Sequence, residues 1–169
     1  MGMQDYEEAT KIMGRYPDRQ SFVGPRSESL IQAAEKALGL EFPPTYRRFL
    51  LEYGAGAFGS SEICGVIGND FEHSSVPDAI WYTLVERSEA KLPSDLIIIH
   101  EVGDGQLFCL DLGAKENEEA PVVAYQPGIP PEKQGRELRE VIAKDFGEFL
   151  LKLVWHQVQD WDSLSMKCR

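Results

Sequence analysis

The chain has 169 residues, of which 43% are hydrophobic and 27% are charged, values typical of a globular domain with a substantial core. Lys and Arg together number 17, against 28 Asp and Glu, so the formal net charge is −11 at pH 7. A surface this acidic repels phosphate backbones and anionic lipids and attracts basic partners, which disfavours direct nucleic-acid binding.

The sequence also indicates where the protein is located. No run of apolar residues approaches the length of about 18 that a membrane span needs. The first residues, MGMQDYEEATK, lack the basic and apolar regions of a secretory signal. Cys64, Cys109 and Cys168 are far apart and odd in number, which argues against a disulfide framework. We therefore expect no membrane association and a cytoplasmic location.

The first half of the chain predicts three helices. Apolar residues from Tyr6 to Tyr16 recur at helical spacing, and this first helix ends before Pro17. Residues 17–26 read as a loop. Ser27 is the N-cap of a second helix that Gly39 ends, and the segment FPPTYRRFLLEY begins a third helix with proline in its first turn.

A glycine-rich stretch, YGAGAFG, follows the third helix. Gly54, Gly56 and Gly59 have the G-x-G-x-x-G spacing of a dinucleotide-binding loop. That loop requires a strand before it and a helix after it, whereas here a helix precedes it and the strand-like SEICGVI follows. The order is reversed, so we expect no nucleotide. Gly54 instead ends the helix with a positive φ angle.

The second half predicts the sheet and a closing helix. A fourth helix begins near Pro77, the strands LIIIH and QLFCLD flank a turn at Asp104-Gly105, and PVVAY is a further strand. After a proline-rich connection, Asp145 caps a last amphipathic helix, and residues 159–169 form a tail. The fold class is therefore α+β: a single domain with a mostly antiparallel central sheet and helices packed on one side.

No catalytic or metal-binding set emerges from the sequence. The three histidines lie in different segments, outside any ligand-spaced motif. His100, Glu101, Asp104 and Asp111 come closest to a metal constellation, but Asp104 is needed at the turn and Asp111 ends a strand. Cys64 and Cys109 lie inside apolar strands, where cysteine behaves as a small buried hydrophobe. The sequence predicts no enzyme and no cofactor.

One combination of residues, in a fixed order along the chain, matches the pattern of a known protein family. A helix with a Glu is followed by Leu-Gly, Phe-Pro, a Tyr, a Phe-Leu pair and a glycine-rich end; these are Glu35, Leu38, Gly39, Phe42, Pro43, Tyr46, Phe49, Leu50, Gly54 and Gly56. GDGQLFCLDLG, EEAPVVAY and DFGEFLLKLV follow in the expected order. From about Ser27 to Val154 the chain resembles the SUKH superfamily, which includes the fungal glucan-synthesis regulator (Smi/Knr-type) domain.

The resemblance implies a function as well as a fold. It implies a single α+β domain that is not an enzyme. Many bacterial members are immunity proteins that neutralise secreted polymorphic toxins, often nucleases, and others are interaction domains of regulatory proteins. The leading hypothesis is a cytoplasmic immunity protein with a basic toxin domain as partner. A regulatory scaffold domain is the alternative, and a small-molecule or metal enzyme is a third hypothesis.

A protein that inhibits a basic enzyme needs carboxylates on one accessible surface, because they mimic the phosphates that such an enzyme binds, and an apolar anchor among them. Three loops next to predicted strand ends supply such groups. We expect a subset of the following candidate partner-binding residues to form the binding face: Glu62, Asp70, Phe71, Glu72, Asp78, Glu116, Glu118 and Glu119.

Overall fold

The structure, a computed structural model, describes residues 2–128, 133 and 139–167. In chain order the elements are α1 (Gly2–Met13), β1 (Gln20–Phe22), α2 (Glu28–Leu38), α3 (Pro44–Glu52), β2 (Gly56–Phe58), β3 (Ser61–Ile63), α4 (Ala79–Glu89), β4 (Leu96–Glu101), β5 (Leu107–Asp111), β6 (Val122–Tyr125), β7 (Glu140–Ala143) and α5 (Phe146–Lys167). Short 3-10 turns lie at Pro17–Arg19 and Leu112–Ala114. The α+β class is confirmed.

The helix ends follow the local rules that the sequence displays. The Ser27 hydroxyl accepts a hydrogen bond from the Leu30 N–H, and the Asp145 carboxylate accepts one from the Glu148 N–H, so both are N-caps as predicted. Gly39 ends α2 in the left-handed conformation with φ 72°. These short-range interactions set where the apolar faces of the helices begin and end.

The strands form two antiparallel sheets, with orders β1-β2-β3 and β4-β5-β6-β7. Sequence analysis predicts a loop over residues 17–26, a loop over the glycine stretch and no strand after PVVAY. The structure instead has the strands β1, β2 and β7 in these three places. β1 and β2 have three residues each, which is too short for alternating polarity to be visible. Gly56 lies so close to the Ser21 carbonyl that a β-carbon would not fit, so a glycine is required where the two strands pair.

The two sheets are joined along β4. The Cys64 N–H, one residue beyond β3, donates to the Ile99 carbonyl. The Thr83 hydroxyl of α4 accepts from the Ile98 N–H. Backbone groups that an edge strand would present to solvent are therefore covered by β3 and α4.

The main core lies between the helices and one face of the larger sheet. Tyr46, Phe49 and Phe146 are fully buried, and their ring centroids are 5.0 to 6.2 Å apart. The opposite face of this sheet carries a smaller buried cluster that includes Ile98 and Cys109, against which Tyr82 of α4 packs. The helices therefore cover mainly one face, as predicted, and α4 reaches the other.

The last helix is longer than the sequence indicates. Residues 159–169 read as a tail, yet α5 continues to Lys167, while Cys168 and Arg169 lie outside the described residues. Trp161 explains the extension, because its ring lies 5.2 Å from those of both Tyr16 and Phe58. Its contacts come from β2 and the segment after α1, so local periodicity does not reveal them.

Candidate protein-binding surface

The glycine loop has a structural role. Gly54 has φ 76°, which confirms the predicted positive angle, and its N–H donates to the Phe49 carbonyl at the end of α3. β2 begins at Gly56, so the chain passes from helix to strand. The order required for a dinucleotide loop is absent from this stretch, as the sequence predicts.

The cysteines inside the strands are buried free thiols, as predicted. Burial raises the pKa of Cys64 to about 12 and also raises the pKa of Cys109 well above its usual value, so both are protonated at neutral pH. A thiolate nucleophile requires the opposite shift. The prediction for Cys168 lies outside the described residues.

Two carboxylates of the metal constellation considered in the sequence, Asp104 and Asp111, have structural partners. Asp104 accepts a hydrogen bond from the Gln106 N–H in the β4–β5 turn. Asp111 caps the 3-10 turn through the Gly113 N–H and pairs with Arg139 at 3.1 Å. Within residues 2–128, 133 and 139–167, no three His, Cys, Asp or Glu side chains are grouped as metal ligands.

Two of the predicted partner-binding carboxylates, Asp78 and Glu119, accept hydrogen bonds that stabilise the fold. Asp78 is 1% exposed and caps α4, accepting from the Ile80 and Trp81 N–H groups. Glu119 accepts from the Thr45 N–H at 3.0 Å and from the Thr45 hydroxyl at 2.6 Å, so it holds the first turn of α3. Their interactions remove both from a partner-binding surface.

The loop before α4 retains exposed acids but loses its apolar anchor. Asp70 accepts from the N–H groups of His73 and Glu72, and these bonds lower the pKa of its carboxyl. Asp70 and Glu72 are exposed. Phe71 is half-buried and packs against the main core, so it supports this loop from below.

The remaining acids divide between two ends of the larger sheet. The His100 ring binds the Glu62 carbonyl through Nδ1, so Glu62 lies beside the C-terminal end of β4. Glu116 and Glu118 follow β5, whose last residue pairs with Leu96 at the start of β4. The six residues of β4 separate these ends by about 17 Å. One binding face can therefore include only a subset of the eight candidates.

Near Glu62, the structure adds carboxylates that sequence analysis did not consider for partner binding. The His100 ring is hydrogen-bonded to the Glu62 carbonyl, and Glu101 is the next residue of β4, so Glu62 and Glu101 lie at the same end of neighbouring strands. Burial raises the pKa of Glu86, and the charges of Glu89 and Glu101 raise it further. We call Glu62, Glu86 and Glu101, with the half-buried Tyr82 beside them, the acidic face.

Tyr82 supplies the aromatic group of the acidic face. Tyr82 packs against the smaller buried cluster, which includes Leu107, the pairing partner of Glu101, and Glu86 lies one helical turn after Tyr82 on α4. Burial raises the pKa of Tyr82 to about 12, and the charges of Glu101 and Glu86 contribute in the same direction. Its ring centroid is 6.1 Å from that of Trp81. Aromatic residues within polar surroundings are enriched at protein interfaces. The arrangement is suited to binding a basic protein surface.

Comparison with known families adds an independent finding. The family model SUKH_6, described as SMI1-KNR4 cell-wall, matches residues 28–150, which is well over half of the chain. The chain belongs to the SUKH superfamily. This membership confirms the resemblance drawn from the sequence and indicates a protein-interaction domain.

The match divides this SUKH domain into a family core and its additions. The matched segment runs from the first residue of α2 to Leu150 in α5, so it contains the whole acidic face. α1, β1 and the rest of α5 lie outside it. Among the described residues, no helix of this SUKH domain is long and apolar enough to cross a membrane.

The acidic face also shows what sequence analysis missed. Glu101 directly follows the apolar strand LIIIH, and Glu86 follows Tyr82 by four positions on a helix. Residues four apart on a helix lie on one side, which is a local signal that connects Glu86 with Tyr82. Placing Glu101 and Glu62 beside them requires knowing how β3, β4 and α4 pack.

Proposed function

We propose that this SUKH domain is a cytoplasmic immunity protein that binds a secreted, basic toxin domain and neutralises it without catalysis. The observation that carries the proposal is the acidic face. Among the described residues, no ion pair involves Glu62, Glu86 or Glu101. No neighbouring cation among these residues therefore compensates the three carboxylates.

The acidic face has the properties that inhibition of a basic enzyme requires. Carboxylates grouped around an aromatic ring resemble the phosphates and bases that a nuclease binds, and they attract basic groups over several ångströms. A net charge of −11 accelerates the encounter with a basic partner. The half-buried Tyr82 contributes apolar contact area at small cost in side-chain entropy.

The proposal predicts that a gene beside the one for this chain encodes a basic toxin domain, and co-expression with that domain is the test. We expect the wild-type chain to restore growth of cells that produce the toxin. Glu62→Lys/Glu101→Lys should lose this protection, because charge reversal converts attraction into repulsion. Glu116→Lys/Glu118→Lys, two exposed acids at the other end of the sheet, is the matched control and should protect fully.

Three results would contradict the proposal. The first is growth inhibition that the wild-type chain does not relieve although both proteins accumulate. The second is equal loss of protection in the two double variants, because the effect would then reflect net charge alone. The third is full protection by Glu62→Lys/Glu101→Lys, which would exclude the acidic face.

A second candidate function is a regulatory interaction domain that recruits a partner without inhibiting an enzyme. It is favoured by the cell-wall description of the matching family model. The two candidates differ in one measurement, the activity of the bound partner. Saturating amounts of this SUKH domain should abolish the activity of a toxin, whereas a recruited partner should remain active in the complex.

A further inference from the structure

A small cavity lies on the other side of β3 and β4 from the acidic face. It has a volume of about 310 Å³, at the lower end of the range for ligand pockets. Its walls come from β3, β4, β5, β7 and α5. Its lining residues include Ser61, His100, Phe108, Ile142, Phe149 and Lys152.

The hydrogen bond of His100 determines which of its ring nitrogens is available. Nδ1 lies 2.7 Å from the Glu62 carbonyl oxygen. A carbonyl oxygen only accepts, so Nδ1 carries the hydrogen. In the neutral ring Nε2 is then an acceptor, and in the described part of the chain no hydrogen bond reaches it. The cavity wall thus contains one oriented acceptor without a donor.

The rest of the cavity is mainly apolar, and Ser61, Lys152 and the exposed His156 are its other polar lining residues. The His100 ring centroid is 5.6 Å from that of Phe108 and 5.8 Å from that of Phe149, and the two phenylalanine rings meet edge to face. The Lys152 ammonium donates to the Ile142 carbonyl and pairs with Glu148 at 2.9 Å, so its charge is already compensated. An aromatic ring with one hydrogen-bond donor matches this lining better than an anion does.

We propose that this cavity binds a phenolic ring. The ring packs against Phe108 and Phe149, and its hydroxyl donates to Nε2 of His100. A ring without the hydroxyl would leave Nε2 desolvated without a donor, which is unfavourable.

The test uses the full-length protein and two small probes, p-cresol and p-xylene, which differ by a hydroxyl against a methyl group. Binding is followed by two-dimensional NMR of the backbone and of the His100 ring. We expect p-cresol to shift the signals of His100, Phe108 and Phe149 in a saturable manner.

The variant His100→Asn keeps a side-chain N–H for the Glu62 carbonyl and lacks Nε2. We expect it to weaken p-cresol binding by between about twofold and tenfold, the size of one neutral hydrogen bond, and to leave p-xylene binding unchanged. His73→Asn is the matched control, because His73 is 81% exposed on another loop. It should bind both probes as the wild type does.

Each other outcome overturns a defined part of the proposal. If p-cresol shifts none of the cavity signals, the cavity does not bind a phenol, whether or not the toxin domain binds elsewhere. Equal loss of both probes in His100→Asn means that Nε2 does not act as the acceptor. The immunity assignment is judged separately, by growth rescue.

Discussion

Glu119 connects the hairpin after β5 to the first turn of α3, although 74 positions separate it from Thr45. Its carboxylate accepts two hydrogen bonds from that residue, one of them from a backbone N–H at the helix start. Glu119→Ala should lower the free energy of unfolding by about 1 to 3 kcal/mol, measured by urea denaturation. The neighbouring Glu118→Ala, an exposed side chain, is the control and should change it by less than about 0.5 kcal/mol. Equal effects would show that Glu119 is only a surface acid.

Glu86 makes stability depend on pH in a defined direction. Burial and the charges of Glu89 and Glu101 raise its pKa in the folded protein above the unfolded value of about 4.3. Its ionisation therefore favours the unfolded state as pH rises through these two values. Glu86→Gln should raise the melting temperature at pH 7, and the gain should disappear below about pH 4, where the carboxyl is protonated in both states. A melting temperature that falls at pH 7 would contradict this assignment.

For single residues, a structural role is predictable from the sequence when its hydrogen-bond partner is close along the chain, and it is not predictable when the partner is distant. Ser27, Gly39 and Asp145 act on groups within a few residues of themselves, and their patterns are visible in the chain. Asp78 also acts locally and is buried, but sequence analysis includes it among the partner-binding candidates because its loop adjoins a predicted strand end. The partner of Glu119 is distant in sequence, so its role appears only in the folded chain.

Among the elements, the end of α5 depends on one aromatic side chain. Trp161 packs between Tyr16 and Phe58, and the Arg19 guanidinium lies 4.6 Å from its ring centroid. Trp161→Ala should lower the free energy of unfolding by about 2 kcal/mol, less than for a fully buried tryptophan because the side chain is half-buried. Leu164→Ala, at a side chain that is 60% exposed on the same helix, is the control.

If Trp161→Ala is as harmless as Leu164→Ala, the last turns of α5 do not contribute to the fold. The comparison is made by chemical denaturation of the full-length chain, with helix content followed by circular dichroism. A selective loss in Trp161→Ala would show that this addition outside the family core is part of the cooperative unit.

A substitution at Gly54 tests the geometry of the turn between α3 and β2. A β-carbon at this position would lie 2.6 Å from the Gly24 carbonyl oxygen and 2.7 Å from the Val23 side chain, in addition to the strain of φ 76°. Gly54→Val should lower the free energy of unfolding by about 2 kcal/mol or more. At Gly68 a β-carbon would meet no atom within 4 Å, so Gly68→Ala is the control and should be nearly neutral. A stable Gly54→Val variant would contradict the geometry of the turn.

The strongly periodic elements were predictable, and the short ones were not. α2 and α3 carry apolar residues at helical spacing between clear end signals, and β4 and β5 are runs of apolar residues around an Asp-Gly turn. β1 and β2 are defined by pairing with each other across more than thirty residues, as between Gln20 and Phe58. A three-residue strand has no periodicity from which pairing could be inferred.

For the whole molecule, the net charge of −11 is the property that the sequence displays most directly, and its distribution is what the sequence does not show. Sequence analysis selects eight candidates from three loops because all three adjoin predicted strand ends. The register of β4 against β5 places the hairpin of Glu116 and Glu118 at the opposite end from Glu62. Charge and family were accessible from the sequence, but the choice of surface required the packing of α4 against β4.

The proposed interaction should depend strongly on ionic strength. The negative charges of the acidic face attract a basic partner over a distance, and salt screens this attraction. The association rate should therefore fall several-fold between about 50 and 500 mM salt, while the dissociation rate changes little. Stopped-flow fluorescence or surface plasmon resonance with the neighbouring toxin domain measures both rates. An association rate that is insensitive to salt would exclude electrostatic steering and leave the apolar contacts to explain binding.

The most direct test is the affinity of the purified toxin domain for three forms of the chain, measured by isothermal titration calorimetry. We predict that Glu62→Lys/Glu101→Lys binds at least tenfold more weakly than the wild type at an unchanged melting temperature. Glu116→Lys/Glu118→Lys, with the same change in net charge, should bind within about threefold of the wild type. Equal affinities in all three forms, or equal weakening in both variants, would contradict binding through the acidic face.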